Sequence, residues 1–216
     1  GWCAGVRGGM GGGGLGKHGM EADPNIGFFL LAKPGRLWIA RTLLIFYKKI
    51  FLLNSRKNFC VNYFIDTDHL VIEDRNIFTA TELAFLLPAY DPDVYMRFRM
   101  ENDDWVGGYF PNFQPRDTSL CHKLNNNVFR RSFEWMFSGK MGEKLDTWCM
   151  MRTLKRWKKK FPEFEGRKFD LTLRTRKYVS KHHPSDYQAR VTNRLDALIS
   201  EFEQQHGCIL RSEAER

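Results

Sequence analysis

The stretch Ile26–Ala32 reads IGFFLLA, an apolar run with no charged interruption, closed by Lys33, Pro34 and Gly35. So short a run ended by turn-forming residues predicts a buried strand followed by a turn. A helix follows, in which Leu37, Ile39, Ala40, Leu43, Leu44, Phe46, Tyr47, Ile50 and Phe51 cover a wide apolar face. Arg36, Arg41, Lys48 and Lys49 are left to face water. Asn54 and Ser55 end that helix, and residues 59–65 (FCVNYFI) form a second run of strand-forming residues. Residues 69–72 suggest a short third strand. Strand, long crossover and strand is the βαβ pattern, which places both strands in one sheet with a helix on its face.

Beyond Asn76 the strand-like runs give way to helical periodicity. Thr79 reads as an N-cap, with Glu82 completing a capping box ahead of Leu83, Phe85, Leu86 and Leu87, and Pro88 closes the helix. Short helices are expected over residues 91–100 and 103–110, and a loop over 111–117. Two further helices, 126–137 and 140–160, meet at Gly139, and a last one, 185–205, is entered through Pro184 and closed by Gly207. Residues 1–19 are dominated by glycine and read as a flexible leader with little side chain to pack. The pattern therefore predicts an α/β (α+β) chain: a small mixed sheet with helices over residues 1–76, then a mostly helical region over 77–216.

Composition adds that this is a packed globule. Hydrophobic residues make up 43% of the 216 and aromatics 14%, which excludes a disordered class. The formal charge of +9 sits almost entirely in residues 152–181, where twelve Lys and Arg face Glu163, Glu165 and Asp170. A focused basic segment attracts phosphates, nucleic acid or anionic lipid. Cys3, Cys60, Cys121, Cys149 and Cys208 are too scattered for a zinc site, and their odd number fits reduced thiols in the cytoplasm. The longest apolar stretch, residues 37–53, carries Arg41, Lys48 and Lys49 and is too short for a transmembrane span.

Residues 13–42 (GGLGKHGMEADPNIGFFLLAKPGRLWIART) resemble the signature of the DNA polymerase beta-like nucleotidyltransferases: a glycine turn, about ten residues, then two acids flanking an apolar residue at the start of a strand. Downstream, KPGRLWIARTLL, FCVNYFID, IEDRNIFTATELAFLLP, WVGGYFPNF and LTLRTRKYVSKHHP are similar to an uncharacterised bacterial branch that joins this core to a helical C-terminal region. The resemblance implies a glycine turn at Gly13 and Gly14 that opens a helix and holds a nucleoside triphosphate on its amides. Lys17, Lys33 and Arg36 are implied as further nucleotide-binding residues. It also implies transfer of a nucleoside monophosphate to an acceptor, with Mg²⁺ ions held by acids on alternate strand positions. Here those two positions are Asn25 and Gly27, so a carboxamide and a bare backbone replace the carboxylates that hard cations prefer. The family's third acid falls on the next strand, where Asn62 and Asp66 are both candidates; Asn25 and Asp66 are then the remaining metal-ligand positions. The N-terminus reads as shortened.

Bland readings stand beside these. Lys33, Arg36 and Arg41 also suit a solvated helix start, and Glu73, Asp74 and Arg75 suit surface pairing. The basic stretch MRTLKRWKKKF interleaves Met151, Leu154, Trp157 and Phe161 with cations, as an amphipathic helix meeting phosphates would. His182 and His183 close another basic stretch. A non-catalytic module that binds phosphate, nucleic acid or a partner protein through residues 152–181 is the alternative to an enzyme, and a possible pseudoenzyme unites the two.

Overall fold

The computed structural model describes residues 5–13, 26–51, 60–123, 128–183 and 187–210. Along the chain these form β1 (Val6–Gly13), β2 (Ile26–Ala32), α1 (Leu37–Phe51), β3 (Cys60–Asp66), α2 (Ile77–Ala84), β4 (Leu87–Tyr90) and α3 (Pro92–Met100). They continue as α4 (Asp103–Tyr109), α5 (Val128–Met136), α6 (Gly139–Lys160), α7 (Gly166–Leu173), β5 (Thr175–Arg176), β6 (Val179–Lys181) and α8 (Tyr187–His206). The chain is thus a mixed α/β (α+β) fold built on one six-stranded sheet of order β4-β1-β2-β3-β6-β5.

The βαβ unit forms as its pattern requires, with β2 and β3 parallel and α1 as the crossover. The other neighbouring pairs are antiparallel. Alternate residues of β2 and β3 feed two cores. Phe29, Leu31 and Ile65 join Met10, Leu70, Ile72, Leu83, Leu86, Tyr95, Phe98 and Val106 on one face. Leu30, Ala32 and Phe64 join Leu37, Trp38, Leu44 and Cys149 on the other. Cover on both faces explains why these strands read as continuous apolar runs.

Several expectations are corrected. Residues 6–13 belong to no loose leader: they are β1, paired with β2 on one side and β4 on the other. Glycine lowers strand propensity, but here it permits close packing, since a Cβ at Gly8 would stand 3.1 Å from Leu31 and 3.3 Å from Val94 of α3. Met10 supplies the buried side chain, fully enclosed in the first core. Strands do not cease at residue 76 either. β4, β5 and β6 all come from the region expected to be helical, and they complete the sheet that residues 1–76 begin. Pro88 lies inside β4, at the edge of the sheet where a missing N–H does least harm, and α2 has already ended at Ala84. Residues 69–72 form no strand. The N-cap of α2 is Asn76, whose side chain accepts the Thr79 N–H at 2.9 Å, so Thr79 is the receiving position.

The turn between β2 and α1 follows from its residues. Pro34 and Gly35 occupy its two central positions, Gly35 has φ of 67°, and the Arg36 N–H closes the turn on the Lys33 carbonyl at 3.0 Å. A positive φ at the third position is what a type II turn requires. α1 then starts without a cap of its own. Asp146 of α6 supplies one from far along the chain: its Oδ1 accepts the N–H groups of Trp38 and Ile39 at 2.8 and 2.9 Å.

Candidate functional site

The sheet has two ends, and they divide the residues the sequence singled out. At one end β1 finishes against the start of β2, with Gly13 opposite Ile26 and Gly12 opposite Gly27, and Gly27 in turn stands beside Cys60 of β3. Asn62 falls in the irregularity between the Phe28–Val61 and Phe29–Tyr63 pairs, two residues in from this end. β6 approaches the same end, because Lys181 pairs with Tyr63 and the chain then runs on to His182 and His183. Gly14, Lys17 and Asn25 lie outside the described residues.

Lys33, Arg36 and Asp66 are at the opposite end. Asp66 pairs with Ala32, five residues along β2 from Gly27, which at strand rise is roughly 16 Å away. It therefore shares no cation with position 27. Its carboxylate is buried at 4% exposure and occupied locally: Oδ1 accepts the Asp68 N–H at 3.1 Å and meets His69 Nδ1 at 2.7 Å. Lys33 follows β2 directly, its N–H donating to the Gly5 carbonyl at 2.7 Å. Arg36 reaches back to α6, its guanidinium donating to the Gly139 carbonyl at 3.0 Å. Of the proposed nucleotide-binding and metal residues, the structure unites Gly13 with Gly27 and separates both from Lys33, Arg36 and Asp66.

The basic segment also divides. Arg174, Arg176 and Lys181 are consumed by carboxylates. Asp74 is enclosed between Arg174 and Lys181, each at 2.8 Å, and Arg176 bridges Glu73 at 2.8 Å and Asp170 at 3.2 Å. Burial pushes the Asp74 carboxyl up, but Lys181 and Arg174 overcome this and hold it below the ordinary carboxylate range. Glu73 pairs at the surface as expected, whereas Asp74, its side chain 8% exposed, ties this loop to Arg174 after α7 and to Lys181 of β6. By contrast Arg152, Lys155, Arg156, Lys158, Lys159 and Lys160 of α6 form no ion pair among the described residues.

Arg41 departs furthest from expectation. Placed by its helical position among the solvated cations, it is 6% exposed, with Cζ 4.8 Å from the Trp157 ring centroid and 5.7 Å from that of Trp38. No described residue hydrogen-bonds it or pairs with it as an anion. A buried ion costs several kcal/mol in lost hydration, and a desolvated cation–π contact returns about 2 kcal/mol. The balance goes against the cation: burial, then Arg156, push its pKa down to about 9, which still leaves it charged at neutral pH. Nothing in the sequence signals this, because Trp157 is remote in the chain and meets Trp38 only through the packing of α6 on α1, with ring centroids at 6.4 Å.

Among the described residues no cluster of three or more His, Cys, Asp or Glu side chains could hold a metal ion, and no helix is long and apolar enough to cross a membrane. The chain matches no family model, no curated protein and no solved structure.

Proposed function

We propose that this chain is a nucleotidyltransferase-type protein that binds a nucleoside triphosphate at the sheet end formed by Gly13, Ile26, Gly27 and Cys60, and that transfers a nucleoside monophosphate from it poorly. The observation that carries the reading is the meeting of β1 with β2 at Gly13 and Ile26, beside the start of β3. Gly12, Gly13 and Gly27 meet there without side chains, which leaves backbone for close approach by phosphate. The donor set does not fit a pair of Mg²⁺ ions. Position 27 has no side chain, position 25 is a carboxamide, and Asp66 serves the other end of the sheet. Hard divalent cations need several oxygen ligands, mostly carboxylate. The acceptor is unassigned. A cytoplasmic setting accompanies the proposal, supported by the free thiols of Cys121, Cys149 and Cys208.

Differential scanning fluorimetry with each of the four nucleoside triphosphates, with and without Mg²⁺, tests binding. A ligand at a hundred times its Kd adds about 2.7 kcal/mol to the native state, which is a readable rise in Tm. Introducing both N25D and G27D should then raise Mg²⁺-dependent pyrophosphate release. Absence of any shift with all four nucleotides, or a folded, nucleotide-binding N25D/G27D protein with no gain in release, refutes the proposal.

The second reading is a non-catalytic module that engages nucleic acid or a partner protein. Its support is the row of α6 cations that no described carboxylate neutralises, a surface suited to polyanions.

A further inference from the structure

A cation withdrawn from water is stable only when something answers its charge, and for Arg41 the two indole rings do so in part while no described carboxylate does. Its surroundings add like charge: Arg156 acts on it directly, and Lys160 lies one helical turn further along α6 with Nζ 5.0 Å from the Phe161 ring centroid. His182 completes the group, its ring 5.0 Å from that of Trp157 and 6.2 Å from that of Phe161. Burial, followed by Arg41, His183 and Lys160, pushes His182 down to about 3, so at neutral pH it is an uncharged imidazole with one donor and one acceptor. Trp38 and Trp157 hold the guanidinium at 5.7 and 4.8 Å from their ring centroids, and its fork of donors matches the oxygens of an oxyanion.

We propose that Arg41, Arg156, Lys160 and His182, between α1, the C-terminal half of α6 and the residues after β6, form a binding site for a phosphate group. Three positive charges suit a phosphate dianion better than a single carboxylate, and Arg pairs with phosphate oxygens through two parallel hydrogen bonds. Phe161 and Phe164, half-buried and stacked at 5.6 Å with only 6° between their planes, stand next to the site with Lys160 and Lys168 at their rings, an aromatic and cationic rim that suits a nucleotide. The phosphate therefore belongs to a nucleotide or to the terminus of a single-stranded oligonucleotide. This site is independent of the sheet-end reading, since it uses none of the same residues.

Calorimetric titration of the full chain at constant ionic strength tests it, with inorganic phosphate, ATP without Mg²⁺, and an oligothymidylate with and without a 5′-phosphate. Inorganic phosphate is expected to bind with a millimolar Kd, and R156A/K160A, altered only on the exposed side of α6, to weaken it by roughly tenfold or more. R41Q is expected to abolish it; if R41Q fails to fold, R156A/K160A alone decides. Preference for the 5′-phosphorylated strand over its unphosphorylated twin assigns the phosphate to a strand terminus, and an ATP affinity that R156A/K160A weakens assigns it to a nucleotide. Loss of phosphate binding in R156A/K160A while nucleotide still raises Tm separates this site from the sheet end. Absence of phosphate binding by the native chain at tens of millimolar, or equal affinity in native protein and R156A/K160A, overturns the proposal.

Discussion

Replacing Asp146 by alanine removes the cap that α6 lends to α1. Two backbone N–H groups, those of Trp38 and Ile39, then lose their acceptor in a site where Trp38 is fully buried and Ile39 nearly so. Each buried N–H left unpaired costs about 1–3 kcal/mol, and loss of an N-cap side chain costs about 0.5–2 kcal/mol on its own. The two figures describe overlapping effects, so D146A should destabilise by about 3 kcal/mol. D146N behaves differently. Burial raises the Asp146 carboxyl above its ordinary value despite the two N–H donors that favour the anion, so the charge itself is disfavoured where it sits. An amide oxygen in the same place keeps both hydrogen bonds, and D146N should cost less than about 1 kcal/mol. Urea denaturation followed by circular dichroism reads both, as a fall in midpoint at unchanged slope. A D146A midpoint within error of the native one, or a D146N loss equal to that of D146A, refutes the reasoning.

Acid should weaken the fold well above the carboxylate range. Burial is the main cause that lowers His182 to about 3 and His183 to about 4, whereas the unfolded chain takes up protons at about 6.5. The unfolded state therefore binds more protons below pH 6.5, and stability, complete above that pH, falls on the order of 2 kcal/mol for each histidine by pH 5. Equal urea midpoints at pH 7 and pH 5 would contradict this, and H182Q/H183Q should flatten the profile. At Gly142 an added Cβ would lie 1.9 Å from the Phe137 carbonyl oxygen and 2.9 Å from the Arg36 guanidinium carbon. G142A should accordingly lower stability by about 2 kcal/mol or more, measured as a drop in Tm, and an unchanged Tm would show that the start of α6 yields freely.

What the sequence conveyed was local. The Leu37–Phe51 helix, the two apolar strands of the βαβ unit and the long α6 carry their periodicity in adjacent residues, and all form where that pattern puts them. What it withheld was made by distant partners. β1 has almost no side chains to advertise a strand, and only pairing on both sides makes it one. β5 and β6 are two and three residues long, too short for alternation to register. The same holds at the candidate sites. The resemblance offers Asp66 as a third acid for the site at position 27, yet parallel register places the two at opposite ends of the sheet. Arg41 looks solvated until Trp38 and Trp157 close over it.

The position of β6 also affects how the chain is made. Ile65 of β3 pairs with Val179, so the partner strand leaves the ribosome long after β3 itself; at ~5–20 residues per second the delay is roughly 6 to 23 seconds. During that interval the nascent β3 presents an unpaired edge bearing Phe64 and Ile65 to every other emerging chain. A translational stall between the two strands would prolong that exposure, and aggregates formed during synthesis should be enriched in chains that end before residue 179.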